Sequence, residues 1–258
     1  MKQPFNIVKV GGALVDDEAR LNALLTKFAA LPGLKALVHG GGRRATRTAE
    51  ALGIESRMVQ GRRVTSREML EVAAMVYGGL VNKGIVARLQ ALGTNAIGLT
   101  GADMDTIRSH RRPPVDGTDY GFVGDIDRVD AARLKTLAEA GLTPILAPLT
   151  HDGNGNLLNT NADTIAAETA KALAHHFDVT LTYCFELPGV LACPDDKSSV
   201  IERITRADYE RLAAEGVVSG GMLPKIANAL KAVEAGVGRV LITNAEALGT
   251  GAGTTVTL

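Results

Sequence analysis

The sequence predicts an α/β fold built on one continuous, mainly parallel sheet, and three observations carry the prediction. Near the N-terminus two apolar, β-branched runs each stop at glycines and give way to helical periodicity. That βαβα order implies a parallel, right-handed arrangement with both strand-end loops on one edge. Strand-like and helix-like stretches then alternate to the C-terminus, and no internal repeat, linker or low-complexity segment divides the 258 residues, a length near the upper limit for one core.

Phe5-Asn6-Ile7-Val8-Lys9-Val10 is the first strand, closed by Gly11-Gly12, and Asp16 to Leu31 carries the first helix. Lys35 to Val38 forms the second strand, after which His39-Gly40-Gly41-Gly42 leads into a helix from Arg44 to Leu52. Three successive residues without a Cβ let backbone approach a ligand closely, and the helix start adds unpaired N–H groups, so an anion is expected there. Gly40-Gly41-Gly42-Arg43-Arg44-Ala45 also fits the dinucleotide fingerprint G-x-G-x-x-G/A, a match that alone carries little weight. Apolar positions from Met69 to Leu89 predict a long helical region between Ser66 and Leu92, broken near Gly78-Gly79, and Ala96 to Leu99 is a third strand. From Ile107 to Val129, Pro113-Pro114, Asp116-Gly117 and two further glycines predict hairpins bordering a site. Pro144 to Leu149 is a buried strand followed by a polar turn, and Asn161 to His175 is a helix. Val179 to Tyr183, Arg239 to Ile242 and Thr254 to Thr257 are strands, and Tyr209 to Ala214 and Pro224 to Ala235 are helical.

With 28 basic and 28 acidic residues the formal charge is zero, which removes any global attraction to nucleic acid or an anionic membrane. Arg111-Arg112 reads as solvated surface, no apolar segment approaches the roughly 20 residues that cross a bilayer, and no secretory signal is visible. Cys184 and Cys193 do not form a C-x-x-C motif, which fits a reducing, cytoplasmic setting.

Lys9 ends a buried strand immediately before two glycines, and Gly220-Gly221-Met222-Leu223-Pro224-Lys225 again puts glycines before a cation. Two such lysines in opposite halves suggest a clamp on a polyphosphate. Asn159, Asn161 and Asp163 alternate at the start of a helix; capping needs one of them, and Asn161 reads equally as the cap or as a ligand. Neither the P-loop G-x-x-x-x-G-K-[ST] nor a metal-spaced His/Cys cluster is present.

Together, Lys9-Val10-Gly11-Gly12, His39 to Gly42, Gly61-Arg62-Arg63-Val64-Thr65, Asn159 to Asp163 and Gly220 to Lys225 resemble, nearly end to end, the amino acid kinase family. The resemblance implies an open, mainly parallel sheet sandwiched between helices in three layers. Residues to about 145 would bind the acyl-amino acid and about 146–258 ATP. The implied reaction is MgATP-dependent phosphorylation of the side-chain carboxylate of N-acetyl-L-glutamate in arginine biosynthesis, with Mg²⁺ bridging phosphates. Residue by residue, it implies catalytic roles for Lys9, Lys225, Asp163 and backbone of Gly12 and Gly41; acceptor contacts from Gly41, Gly42, Arg63, Asn159 and Asn161; and nucleotide contacts from Lys9, Gly11, Gly12, Glu186, Gly221 and Lys225. Two departures stand out. Tyr183-Cys184-Phe185-Glu186 replaces the usual Thr/Ser-Asp-Val segment, with Glu186 standing in for that acid. Arg62 replaces an uncharged residue; it is either an exposed arginine or a contact for an acyl carboxylate, as in N-succinylglutamate. Relatives inhibited by arginine carry an extra N-terminal helix, whereas here the first strand starts close to Met1, so a homodimer insensitive to arginine is expected. A non-catalytic amino-acid or nucleotide sensor on the same fold is the rival reading, and a dehydrogenase would leave the paired lysines unexplained.

Overall fold

The computed structural model describes residues 2–59, 62–218 and 222–258. In chain order the elements are β1 (Pro4–Val10), α1 (Gly12–Asp16), α2 (Glu18–Ala30), β2 (Leu34–His39), α3 (Gly42–Ala51), β3 (Met58–Val59), β4 (Arg62–Arg63) and α4 (Arg67–Ala73). A π-helical segment, Ala74–Val81, joins α4 to α5 (Asn82–Ala91). There follow β5 (Ala96–Leu99), β6 (Ile107–Arg111), β7 (Gly124–Val129), α6 (Ala131–Glu139), β8 (Thr143–Leu146), β9 (Leu149–His151), β10 (Leu157–Asn159) and α7 (Ala162–Ala174). The C-terminal elements are β11 (Asp178–Phe185), β12 (Arg203–Ile204), α8 (Arg206–Ala214), α9 (Met222–Glu234), β13 (Arg239–Asn244) and β14 (Thr254–Val256).

An eight-stranded sheet in the order β12-β14-β13-β11-β1-β2-β8-β5 forms the middle layer, parallel except for the β13–β14 pairing. Strand alternation sorts the core into two clusters. Phe5 and Ile7 of β1 pack with Leu181 and Tyr183 of β11 beneath α6 to α9, whereas Val8, Val10 and Cys184 face α1 to α5. Lys9 therefore belongs to the face that carries α7. Because β2 and β11 flank β1 and the chain leaves in opposite directions from them, a crevice opens at the carboxyl ends of these strands, where α/β sheets bind ligands.

The expectation of one continuous sheet is corrected: a separate four-stranded sheet, β10-β9-β6-β7, and a two-stranded one, β3-β4, stand beside the main sheet. The predicted strand from Pro144 to Leu149 divides because Leu146 ends the β8 pairing and Leu149 begins β9 in the smaller sheet. The helix expected from Asp16 to Leu31 is α2, which starts at Glu18 because Asp17 is extended and caps it by accepting the Arg20 N–H at 3.0 Å; the short α1, Gly12–Asp16, precedes it and was not expected. Gly78-Gly79 does not break the long helix; the chain widens there into π turns. Contrary to the expectation about apolar length, Arg67–Ala91 is a 25-residue helical run containing an 18-residue window with a mean hydropathy of 1.3, long and apolar enough to cross a bilayer by that measure. Met69, Val72, Val76, Ile85 and Leu89 are buried in the core, which accounts for much of that hydropathy without a membrane.

Candidate active site

The two glycine loops lie against each other at the crevice. Gly11 donates its N–H to the Cys184 carbonyl and Gly40 to the Val10 carbonyl, both at 3.0 Å, which pins each loop to a strand end. A Cβ on Gly40 would stand 3.2 Å from the Gly12 nitrogen, so neither loop could come this close with a side chain there. Among the described residues the N–H groups of Gly12 and Gly41 make no backbone hydrogen bond and are available to an anion.

Two cavities open on either side of Gly40-Gly41-Gly42. The larger, about 420 Å³, is lined by Lys9, Gly11, Gly12, Asp163, Phe185, Glu186 and Lys225 among others. The smaller, about 200 Å³, is lined by Arg62, Arg63, Tyr77, Arg112, Asp125, Asn159 and Asn161 among others. The triple glycine lines both, so the two cavities are neighbours along this loop.

In the larger cavity Lys9, only 6% exposed, places its Nζ 2.6 Å from Asp163 Oδ1 at the start of α7. That oxygen is approached outside hydrogen-bonding alignment, so the contact is mainly electrostatic. Lys225 projects from α9, and its ammonium is pulled below the ordinary lysine value chiefly by burial; Lys9 adds to the effect while Asp163 and Glu186 oppose it. Both ammonium groups sit over the Phe185 ring, Lys9 at 4.8 Å and Lys225 at 3.9 Å from its centroid. Phe185 in turn stacks on Tyr183, whose hydroxyl donates to the Asp163 carbonyl at 3.4 Å.

In the smaller cavity Arg63 is buried and well supported. It donates to the Gly42 carbonyl at 3.0 Å, to Thr46 Oγ1 at 2.8 Å and to Ser56 Oγ. A substrate carboxylate would meet the guanidinium donors left over, held in a fixed orientation by these bonds. Asn159 donates from Nδ2 to Thr65 Oγ1 at 3.0 Å, tying β10 to the segment that follows Arg63. Asn161 is the N-cap of α7, accepting the Thr164 N–H at 3.0 Å, and it also lines the cavity.

Lys9, Gly11, Gly12, Gly41, Gly42, Asp163, Glu186 and Lys225 thus converge on one cavity, and Gly41, Gly42, Arg63, Asn159 and Asn161 on the other. Gly221, named for nucleotide contact, lies outside the described residues. The surface reading of Arg112 is corrected. Its side chain is 13% exposed and grips Asp125 of β7 through Nε, at 3.0 and 3.1 Å, and through Nη2. His39, adjacent to the triple glycine, is fully buried. Its Nδ1 lies 2.8 Å from the Gly40 carbonyl and its Nε2 3.1 Å from Asn82 Nδ2. Burial pushes its pKa down to about 4, so it is neutral at pH 7 and shapes the loop.

Four site residues escaped the sequence: Phe185, Tyr77, Arg112 and Asp125. The hairpin glycines and prolines pointed to the segment that carries the last two, without singling them out. Among the described residues no group of three His, Cys, Asp or Glu side chains could hold a metal ion.

Residues 4–244 match the amino acid kinase family. The chain is 59% identical to acetylglutamate kinase from Bacteroides fragilis over 256 residues, 99% of this chain and 98% of the relative. Among solved structures, smu.665 from Streptococcus mutans UA159 superimposes with a TM-score of 0.80 at 29% identity, covering 98% of both chains. N-acetylglutamate synthase from Neisseria gonorrhoeae, solved with coenzyme A and N-acetyl-glutamate, superimposes with a TM-score of 0.84 at 25% identity; 98% of this chain spans 59% of that one.

Proposed function

The chain belongs to the amino acid kinase family, and from that premise we propose that it transfers the γ-phosphoryl group of MgATP to the side-chain carboxylate of N-acetyl-L-glutamate, the acyl-phosphate step of arginine biosynthesis. The observation that carries this reading is the pair of cavities sharing the triple-glycine wall, with Lys9, Asp163 and Lys225 on one side and Arg63 and Asn159 on the other. The larger cavity takes the nucleotide and the smaller one the acyl-amino acid.

The acceptor carboxylate, with a pKa of about 4.3, is already ionised at neutral pH, so no general base is required. The barrier lies in bringing an anion onto a phosphoryl group, which calls for positioning and preorganised positive potential. Lys9 holds the phosphoryl group in transfer, fixed on the central strand and oriented by Asp163. Lys225 offsets the charge that grows on the ADP leaving group, and the free N–H groups of Gly12 and Gly41 complete the cradle. Mg²⁺ enters as part of MgATP. Asp163 is already engaged by Lys9, which leaves Glu186 as the other carboxylate in the cavity lining, and this sparse set suits a hydrated ion held mainly by phosphates.

A coupled assay of ADP release with N-acetyl-L-glutamate tests the reading. Lys9→Ala and Lys225→Ala are each expected to lose on the order of 10²-fold in kcat, the usual cost of removing one transition-state donor. Near-normal turnover in both would discard the mechanism. The N-terminal part to about residue 145 is assigned chiefly to the acceptor and the remainder chiefly to ATP. Exposed Met75 and Leu80 on one helix support a protein-covered face and hence a homodimer, and the free thiols Cys184 and Cys193 suit the cytoplasm.

A further inference from the structure

The smaller cavity carries more positive charge than one amino-acid carboxylate uses. Its charged lining residues are Arg62, Arg63, Arg112 and Asp125, which leave two net positive charges. On the reading proposed above, on which this inference rests, the side-chain carboxylate of the acceptor faces Lys9, and the α-carboxylate is the one other anion on an N-acetyl compound. One cation is then left without a counter-charge.

Position shows which one it is. Arg63 sits deep, bonded to Gly42 and Thr46 beside the triple glycine, where the amino-acid end must lie for its side chain to reach the phosphoryl group. Arg62 and Arg112 come from other elements, β4 and the residue after β6, and both line the same cavity, Arg62 from an exposed position. Arg112 spends Nε and Nη2 on Asp125, which fixes its plane and leaves Nη1 unengaged by that partner. Arg62 is on the exposed side of its hairpin, and among the described residues no carboxylate lies within ion-pairing distance of it. Partial burial disfavours its charge first, and the Arg112 charge adds to this while Asp125 opposes it, so two guanidinium groups act on each other across one cavity. An anion placed between them would relieve that repulsion.

We propose that the cavity also receives acceptors whose N-acyl arm ends in a carboxylate, held by Arg62 and Arg112, and that it prefers such a half-amide of glutamate with a short dicarboxylic acid over the neutral acetyl compound. Met58 and Val123, which also line this cavity, provide apolar wall for the methylenes of such an arm.

Initial rates of ADP release with MgATP and three acceptors, N-acetyl-, N-butyryl- and N-succinyl-L-glutamate, decide the matter; the butyryl compound matches the length of the succinyl arm without its charge. Wild type is expected to show kcat/KM about 10- to 100-fold higher for the succinyl compound than for either neutral one, the range of a charge-assisted hydrogen bond gained or lost. In Arg62→Gln the succinyl-to-acetyl ratio should collapse towards one. A wild-type ratio at or below one overturns the proposal while leaving the kinase intact. A ratio unmoved in Arg62→Gln, with both substrates impaired alike, assigns Arg62 to the α-carboxylate and also overturns it. Turnover of none of the three overturns the kinase reading itself.

Discussion

Phe185 shows what a single side chain contributes here. Two ammonium groups that repel each other lie over its ring, which stabilises cations through its quadrupole without neutralising either one. An acid in its place would hold the lysines more tightly and compete with phosphate for them. Phe185→Leu keeps the apolar volume and removes the quadrupole, and kcat is expected to fall about tenfold, a loss within the strength of a desolvated cation–π pair. Acceptor KM should change little, and an unaltered kcat would show that the ring only fills space. The thiols allow a second check. Cys184 is buried with its pKa pushed up to about 12 and Cys193 is exposed, so a thiol-titrating disulfide reagent should label one cysteine in native protein and two after denaturation. Lys9, Lys225 and Asp163 were legible in the sequence because a charged residue beside glycines or at a helix start has few apolar reasons to be there. Phe185 was not, because an aromatic at a strand end reads as core. Arg112 was missed because its partner Asp125 is brought near only by a hairpin, which no local pattern reveals.

Among the elements, α7 does two things with one residue. Asn161 caps its first turn and also lines the smaller cavity, so its position is compatible with both readings left open by the sequence. Asn161→Ala should cost about 1 kcal/mol of stability through the lost cap and raise acceptor KM. Asn161→Ser should recover the stability, measured by urea unfolding, and leave KM raised; recovery of both would reduce Asn161 to a cap. All strands of the main sheet except Arg203–Ile204 were readable from apolar runs, with boundaries shifted by a few residues, but their order across the sheet was not. The π winding of Ala74–Val81 was not, because two glycines in a helical pattern signal a break, whereas tertiary packing of Val76, Tyr77 and Val81 keeps the chain helical. The wider turn has a use: Tyr77 reaches Gly41, where a Cβ would lie 3.0 Å from its ring. The second sheet also escaped prediction. Strands such as Leu149–His151 and Leu157–Asn159 are three residues long, too short to show a period in the sequence, and only their pairing reveals the sheet.

Taken whole, the molecule holds a neutral histidine under its active site, with a consequence for stability against pH. His39 titrates near 4 in the folded protein and near 6.5 unfolded, so the unfolded chain binds the extra proton between those values. Folding stability should therefore fall as pH drops from about 6.5 towards 4, by about 3 kcal/mol from this residue, and level off below that as far as His39 is concerned. Urea midpoints measured across this window test it, since most carboxylates titrate lower; a flat profile would rule out the buried neutral form. The glycine loop shared by the two cavities has a different consequence. Because Gly40-Gly41-Gly42 lines both, one inhibitor could reach into both, an adenosine polyphosphate tethered to glutamate. Once its nucleotide end is seated, the amino-acid end samples its own cavity at the effective concentration set by the tether rather than by solution. Such a compound should bind far more tightly than either half. The best tether is a short one, running along the glycine loop that both cavities share.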